Sequence, residues 1–319
     1  MQLNNKQKQF TKFSEERLEQ YRKSGYKVVG RHKHTGIELC RWTKSVLRGK
    51  RNCYKSFYGV SSHRCIQMTP TLDFCNFSCK FCWRTFGKYR FKSGDKWDRP
   101  NRILDEIIIA QRKLVSGFGG NKNTKRAILD EANKPNHITL SLDGEPMLYP
   151  YLAELIKEIK NRGMSVFLVT NGTMPHKLKE LLKKNAEPTN LTISVYATNK
   201  KDYKEITNPI VKDSFERILE SLKLMKKFKK ARTIFKITLV KGLNMKDLEG
   251  YATLINKAKP KFIHLKGYTW VGESRKRLKI NNMPYTKEIE DFAEEIAKLT
   301  GYKIKLKDNI SRIVILGKN

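Results

Sequence analysis

The sequence predicts an α/β fold, a partial barrel of six βα units with N- and C-terminal extensions, and three observations carry that expectation. Six short strand-like apolar runs recur through the middle of the chain, five amphipathic stretches of helical period separate them, and the two kinds alternate as repeated βα units do. The strand candidates are Cys65–Leu72, His137–Leu142, Ser165–Thr170, Asn190–Tyr196, Thr233–Val240 and Lys261–Lys266. The helix candidates are Ile103–Val115, Tyr151–Asn161, Pro175–Lys184, Ser214–Lys227 and Met245–Ala258. Strand and helix in alternation give a parallel sheet, because each parallel connection needs a crossover. Six units fall short of a closed eight-fold barrel, and the open side would admit a large substrate.

Ahead of these units a polar helical pattern runs from Lys6 to about Gly25, followed by the passage Lys27–Cys40 and a short helical stretch, Trp42–Arg48. Beyond Gly267 come a turn rich in Gly, Ser and Arg (Gly272–Arg277), a helix near Lys287–Leu299, and strand-like runs at Lys303–Leu306 and Arg312–Leu316. The expected division is an N-terminal extension over 1–64, the barrel over 65–267 and a C-terminal extension over 268–319.

The chain has 319 residues, 39% of them hydrophobic, enough for a sizeable core. Its 66 basic and 31 acidic residues leave a net charge of +35. A field of that size concentrates polyanions, and nucleic acid is the expected partner; a compositional bias toward lysine is the alternative. The first residues lack the apolar stretch of a signal peptide, and no apolar run reaches the roughly 18–20 residues that span a bilayer. A soluble, cytoplasmic protein with no membrane partner is expected. In that compartment the six cysteines, all between Cys40 and Cys82, read as metal ligands rather than disulfides.

Cys75, Cys79 and Cys82 form a C-x3-C-x2-C triplet with no cysteine after it. Three thiolates on an iron–sulfur cubane leave one iron open to an outside ligand, whereas a closed zinc site would satisfy its metal fully. The triplet follows the first predicted strand, at the carboxyl edge where βα folds place chemistry, and Phe74, Phe77, Phe81 and Trp83 interleave it. With Phe81 before the last cysteine, it resembles the signature of the radical S-adenosylmethionine (SAM) enzymes. That resemblance implies a 4Fe-4S cluster whose open iron is chelated by SAM. It extends to Gly144-Glu145-Pro146 after the second strand, Thr170-Asn171-Gly172 after the third and Ser194 on the fourth, which the resemblance assigns to SAM binding. Taken alone, Gly-Glu-Pro is also an ordinary strand-ending turn.

The upstream residues narrow the family. The runs around Cys53 and Lys55, around His63 and Cys65, Gly144–Tyr151 and Lys266–Leu278 resemble the tRNA wybutosine-synthesising radical SAM enzymes, the 4-demethylwyosine synthases, in a form without a flavodoxin domain. The family resemblance implies a second 4Fe-4S cluster on Cys40, Cys53 and Cys65; a zinc site using His63 is the alternative for those three. It also implies a carbon–carbon bond-forming lyase that converts N1-methylguanosine beside the anticodon of tRNA-Phe, with pyruvate, to 4-demethylwyosine through a 5′-deoxyadenosyl radical. Lys55 would hold pyruvate as a Schiff base, or alternatively contact phosphate. A monomer reduced by a separate ferredoxin- or flavodoxin-type donor is expected.

Two residues depart from the family pattern: Asp143 stands where a small hydroxyl is expected, and Tyr196 where an acid is expected. The basic, aromatic stretch after the triplet, with Arg84, Lys88, Arg90 and Trp97, is a candidate RNA contact, as are Arg275 and Arg277. Packing of these aromatics on the barrel is the alternative. The competing functional readings are another radical SAM RNA-modifying enzyme or maturase, and a zinc-dependent RNA-binding protein.

Overall fold

The computed structural model describes residues 14–85 and 96–318. They fall into two compact units, one made of the described residues up to 75 and from 96 to 166, the other of 76–85 and 167 onward.

In the first unit, α1 (Glu15–Lys23) starts at Ser14, whose hydroxyl accepts from Arg17 N, and carries acids in its first turn and bases in its last, as the helix dipole favours. The strands β1 (Lys27–Val29) and β2 (Thr35–Glu38) form an antiparallel hairpin, and α2 (Arg41–Leu47) follows. Next come β3 (Cys65–Thr69), α3 (Pro100–Ser116), α4 (Arg126–Ala132), β4 (His137–Leu140) and α5 (Leu152–Asn161). The strand order is β1-β2-β3-β4, with β2 antiparallel and β4 parallel to β3, so that Cys65 lies beside His137. Tyr21, Tyr26, Leu72, Phe74 and Leu142 form one core cluster, and Leu39, Leu47, Val115, Leu129 and Ala132 another.

The remaining elements are β5 (Ser165–Thr170), α6 (Pro175–Lys183), β6 (Asn190–Val195), α7 (Lys200–Thr207), α8 (Ser214–Met225), β7 (Arg232–Leu239), α9 (Leu248–Ala258), β8 (Phe262–Gly267), α10 (Thr286–Thr300), β9 (Lys303–Asp308) and β10 (Ile313–Gly317). Strands β5 to β8 pair in parallel, in sequence order, while β10 runs antiparallel to both β8 and β9. Every residue of β6 is buried although its sequence alternates polar and apolar residues, so Asn190, Thr192 and Ser194 are buried polar side chains on one of its faces.

The differences from the sequence expectation have local causes. The hairpin within 27–40 has strands of three and four residues, too short to display a period. Helices α4 and α7 were not expected: both are short, and α7 is largely polar; the signal for α7 is Asn199, whose side chain accepts from Asp202 N at 2.9 Å. Helix α9 starts at Leu248 because Asp247 caps it, accepting from Gly250 N at 3.1 Å. Strand β3 ends at Thr69 because Pro70 has no N–H for the ladder. The first part of the expected N-terminal helix lies outside the described residues.

Candidate functional site

In the first unit the segment leading into the cysteine loop is gripped by the turn after β4. Gly144 adopts φ +66, and a Cβ there would lie 2.0 Å from Thr71 O and 2.5 Å from Phe74 O. Only glycine allows that approach. Glu145 N donates to Phe74 O at 2.7 Å, one residue before Cys75. The Gly-Glu-Pro turn therefore clamps the protein's own loop. The buried Glu145 carboxylate accepts from Met147 N at 3.1 Å and caps the 3-10 turn Pro146–Leu148. Asp143 accepts from Gly144 N at 2.6 Å, so the departure from a small hydroxyl serves the turn itself. On the other side Arg17 holds Asp73, itself at φ +69, through bonds of 2.7 and 3.0 Å.

In the second unit residues 76–85 are fixed by their backbone. Ser78 N and Lys80 N donate to Thr207 O and Ile206 O at the end of α7, each at 2.9 Å, and Cys82 N donates to Cys79 O at 3.0 Å. Phe77 packs edge-on against Tyr196 and Tyr203, and Phe81 packs against Tyr196 with ring centroids 5.1 Å apart. Asn76, Asn171 and Thr173 close a buried ring: Asn171 Nδ2 donates to Asn76 Oδ1 (2.6 Å), Asn76 Nδ2 to Thr173 Oγ1 (2.6 Å), and Thr173 Oγ1 back to Asn171 Oδ1 (2.7 Å). Thr170 Oγ1 accepts from Gly172 N at 3.1 Å, and Gly172, at φ +75, leaves no room for a Cβ, which would meet Ile193 at 2.8 Å. Ser194 is buried on β6. Among the triplet, Cys75 is exposed, Cys79 buried and Cys82 intermediate.

The upstream cysteines gather inside the first unit. Cys40 and Cys53 are N-caps of α2 and of the 3-10 turn Tyr54–Tyr58, their sulfurs accepting from Thr43 N (3.3 Å) and Lys55 N (3.4 Å). Cys65 Sγ lies 3.4 Å from Thr139 Oγ1, the same hydroxyl that accepts from Lys55 Nζ at 2.8 Å. Burial pushes the Cys65 thiol up to about 12, with Lys55 opposing the shift and Cys40 and Cys53 adding to it, which puts these groups within electrostatic reach of one another. Burial, and then Lys55, hold His137 down at about 3, so its ring is neutral. Sequence reasoning missed Thr139, Asn76 and Thr173, because isolated Thr and Asn carry no pattern.

The candidate RNA residues have separate fates. Trp97 packs among His34, Phe74 and Tyr149 in the first unit's core, with a centroid distance of 4.7 Å to His34. Arg84 is buried and stacks on the exposed Trp83 at 3.5 Å, while the exposed Arg275 stacks on Trp270 at 4.7 Å. Arg277 donates to backbone carbonyls of the cysteine loop. Lys88 and Arg90 lie outside the described residues.

The C-x3-C-x2-C triplet supplies three thiolates, the donor set of a 4Fe-4S cubane with one iron left open. None of the six cysteines is in a disulfide. Among the described residues no three His, Cys, Asp or Glu side chains stand at the spacing of a single ion. A cubane takes each thiolate on a different iron and so does not ask for that spacing. His63, which the zinc alternative would use, has its Nε2 2.7 Å from Glu131 Oε2.

Comparison with known proteins agrees with this geometry. Residues 69–255 match the model of the radical SAM superfamily, and residues 257–318 match that of wyosine base formation. The S-adenosyl-L-methionine-dependent tRNA 4-demethylwyosine synthase of Pyrococcus horikoshii is 45% identical over 301 residues, which cover 93% of this chain and 87% of that protein. The Pyrococcus abyssi enzyme of the same name is 45% identical over 299 residues, covering 93% and 86%. A structure of TYW1 with a lysine–pyruvate adduct bound superposes with a TM-score of 0.86 at 33% identity, covering 96% of this chain and 97% of that one. The chain therefore belongs to the tRNA 4-demethylwyosine synthases, enzymes of the radical SAM superfamily that use SAM and a 4Fe-4S cluster.

Proposed function

We propose that this enzyme builds 4-demethylwyosine from N1-methylguanosine in tRNA-Phe and pyruvate, with Lys55 as the pyruvate-holding residue and Cys40, Cys53 and Cys65 as ligands of a second 4Fe-4S cluster. The observation that carries the proposal is Lys55 Nζ, 2.8 Å from Thr139 Oγ1, itself 3.4 Å from Cys65 Sγ. One hydroxyl thereby orients an amine beside the upstream thiols. The related TYW1 structure holds a lysine–pyruvate adduct, which supports giving Lys55 that task.

The cluster on Cys75, Cys79 and Cys82, together with SAM, supplies one-electron cleavage of SAM when bound. The chain's residues seat and orient the reactants. Thr139 holds Lys55, whose amine condenses with the pyruvate carbonyl and releases water. Within the first unit the Gly144 turn holds the backbone just before Cys75, and within the second the Asn76–Asn171–Thr173 ring holds the start of the segment that carries Cys79 and Cys82. The net charge of +35 draws in tRNA, and the target base is splayed out of its stack to enter. Exposed cations such as Arg275, and the exposed face of Trp83, would contact that RNA. The protein acts as a cytoplasmic monomer reduced by an external ferredoxin- or flavodoxin-type protein.

Borohydride reduction in the presence of pyruvate, followed by peptide mass analysis, tests the assignment. A pyruvate adduct on the peptide containing Lys55, absent from Lys55→Gln, is the expected result. An adduct on another lysine, or none, would remove Lys55 from this role.

A further inference from the structure

The turn after β8 reaches back to the cysteine loop. Within the second unit Arg277 Nε donates to Lys80 O at 3.1 Å, and its Nη2 donates to the carbonyl of Cys82. Glu273 N donates to Trp83 O at 2.9 Å. Gly272, at φ +57, passes so near that a Cβ would lie 2.4 Å from the same oxygen. The carbonyls of residues 80, 82 and 83 are thus all engaged by the segment 272–277. A run of Arg-Lys-Arg reads as a phosphate contact, but only part of it has that freedom: Arg275 is exposed over Trp270, while Arg277 is half-buried and spends its fork on the loop.

We infer that Arg277 is a positioning residue for the cluster that Cys75, Cys79 and Cys82 hold, fixing the loop's carbonyls and raising the cluster's reduction potential. The inference rests on those cysteines being the radical cluster's ligands. The guanidinium fork sets two carbonyls in one plane, which a point-like ammonium cannot do. A positive charge bonded to the carbonyl of a ligand residue stabilises the form carrying the extra electron. Arg277, Glu273 and Gly272 lie in the stretch matched by the wyosine-formation model, 257–318, whereas the loop they brace lies in the radical SAM match, 69–255. The part that marks this chain as a wyosine enzyme therefore completes the seat of its radical cluster.

The test uses the full chain, reconstituted anaerobically as wild type, Arg277→Gln, Arg277→Lys and Gly272→Ala. Circular dichroism checks the fold, iron and sulfide are counted, and the cluster whose electron paramagnetic resonance signal changes on adding SAM is titrated for its midpoint potential. In Arg277→Gln the midpoint moves lower, so that at a fixed poise the reduced-to-oxidised ratio falls about tenfold, and a chelator strips iron faster. Arg277→Lys recovers most of the potential but not the chelator resistance. Gly272→Ala, which pushes the segment off Trp83, loses chelator resistance as well. Should Arg277→Gln not fold, the Lys and Gly272 variants decide the matter. Wild-type potential and chelator resistance in both folded Arg277 variants would overturn the inference. So would an effect confined to tRNA affinity with a shallower salt dependence, which would make Arg277 a phosphate contact.

Discussion

The two sets of cysteines are held in unlike ways. Between Asn76 and Trp83 it is the backbone that is tied: amides of residues 78 and 80 bond the end of α7, and carbonyls of residues 80, 82 and 83 are taken by the segment 272–277. Cys40, Cys53 and Cys65 instead come from two helix caps and the first residue of a strand, and side chains organise them. Thr43 Oγ1 donates to Ser62 O at 2.8 Å, and Ser62 Oγ accepts from Cys53 N at 2.9 Å. Thr139 links Cys65 to Lys55. A backbone-tied loop presents its thiols wherever its few bonds form, whereas a set drawn from separate elements exists only once those elements have packed. The first design suits a reaction shared by a superfamily; the second suits a task particular to one member.

The largest expected contrast comes from removing one thiol of each set. Cys79→Ala takes SAM cleavage to background and with it all product. Cys53→Ala keeps SAM cleavage within a few-fold, loses about half the iron and yields no tricyclic base. Iron analysis with quantified 5′-deoxyadenosine and nucleoside products checks both; equal loss of SAM cleavage in the two variants would mean that the two sets of cysteines do not have separate tasks.

Next in size are the elements that fix the loop's approaches. Gly144→Ala drives a Cβ into Thr71 O and costs about 3 kcal/mol or more in urea unfolding. Asn171→Ala and Asn76→Ala each strand buried partners and cost about 1–3 kcal/mol, and the double variant costs clearly less than the sum because the ring is already open. Additive costs would mean that the ring is not a unit.

Thr139→Val sharpens the comparison from the upstream side. It keeps the side-chain volume but removes the hydroxyl shared by Lys55 and Cys65, so trapped pyruvate adduct falls about tenfold while SAM cleavage persists. Unchanged trapping would separate Thr139 from the placement of Lys55.

The smallest effect is on pH dependence. His34 is buried, its Nδ1 2.7 Å from Pro70 O and its Nε2 accepting from Asp98 N at 2.9 Å, an arrangement that needs the neutral ring. Burial holds its pKa below the ordinary value. The unfolded chain therefore binds more protons as pH falls below about 6.5, and stability declines with it, fully retained above that pH. His34→Gln should flatten this slope in urea midpoints measured from neutral to mildly acidic pH; an unchanged slope would assign the acid sensitivity to other groups.

The same contrast explains what the sequence made legible. The triplet Cys75, Cys79 and Cys82 was readable because its ligands are local and their spacing is the signal; β5 was readable from its run Val166–Val169 and β6 from its alternation of polar and apolar residues. The upstream cysteines share no such spacing; only resemblance joined them, since the hairpin, α2 and β3 that gather them must first fold. Asn76, Thr173 and Thr139 were invisible for a related reason: a polar residue beside a turn has many ordinary uses, and only packing selects one. Arg277 was read as one of three cations in a row, because a charge run does not say which member turns inward.

The most direct test of the account is one incubation. Anaerobically reconstituted enzyme receives SAM, dithionite and tRNA-Phe carrying N1-methylguanosine, with and without pyruvate, and the digested nucleosides are weighed by mass spectrometry alongside 5′-deoxyadenosine. The expected products are 5′-deoxyadenosine and 4-demethylwyosine, the tricyclic base appearing only when pyruvate is present. A protein that holds zinc without iron and cleaves no SAM, or one that cleaves SAM yet leaves N1-methylguanosine unchanged in the presence of pyruvate, would contradict it.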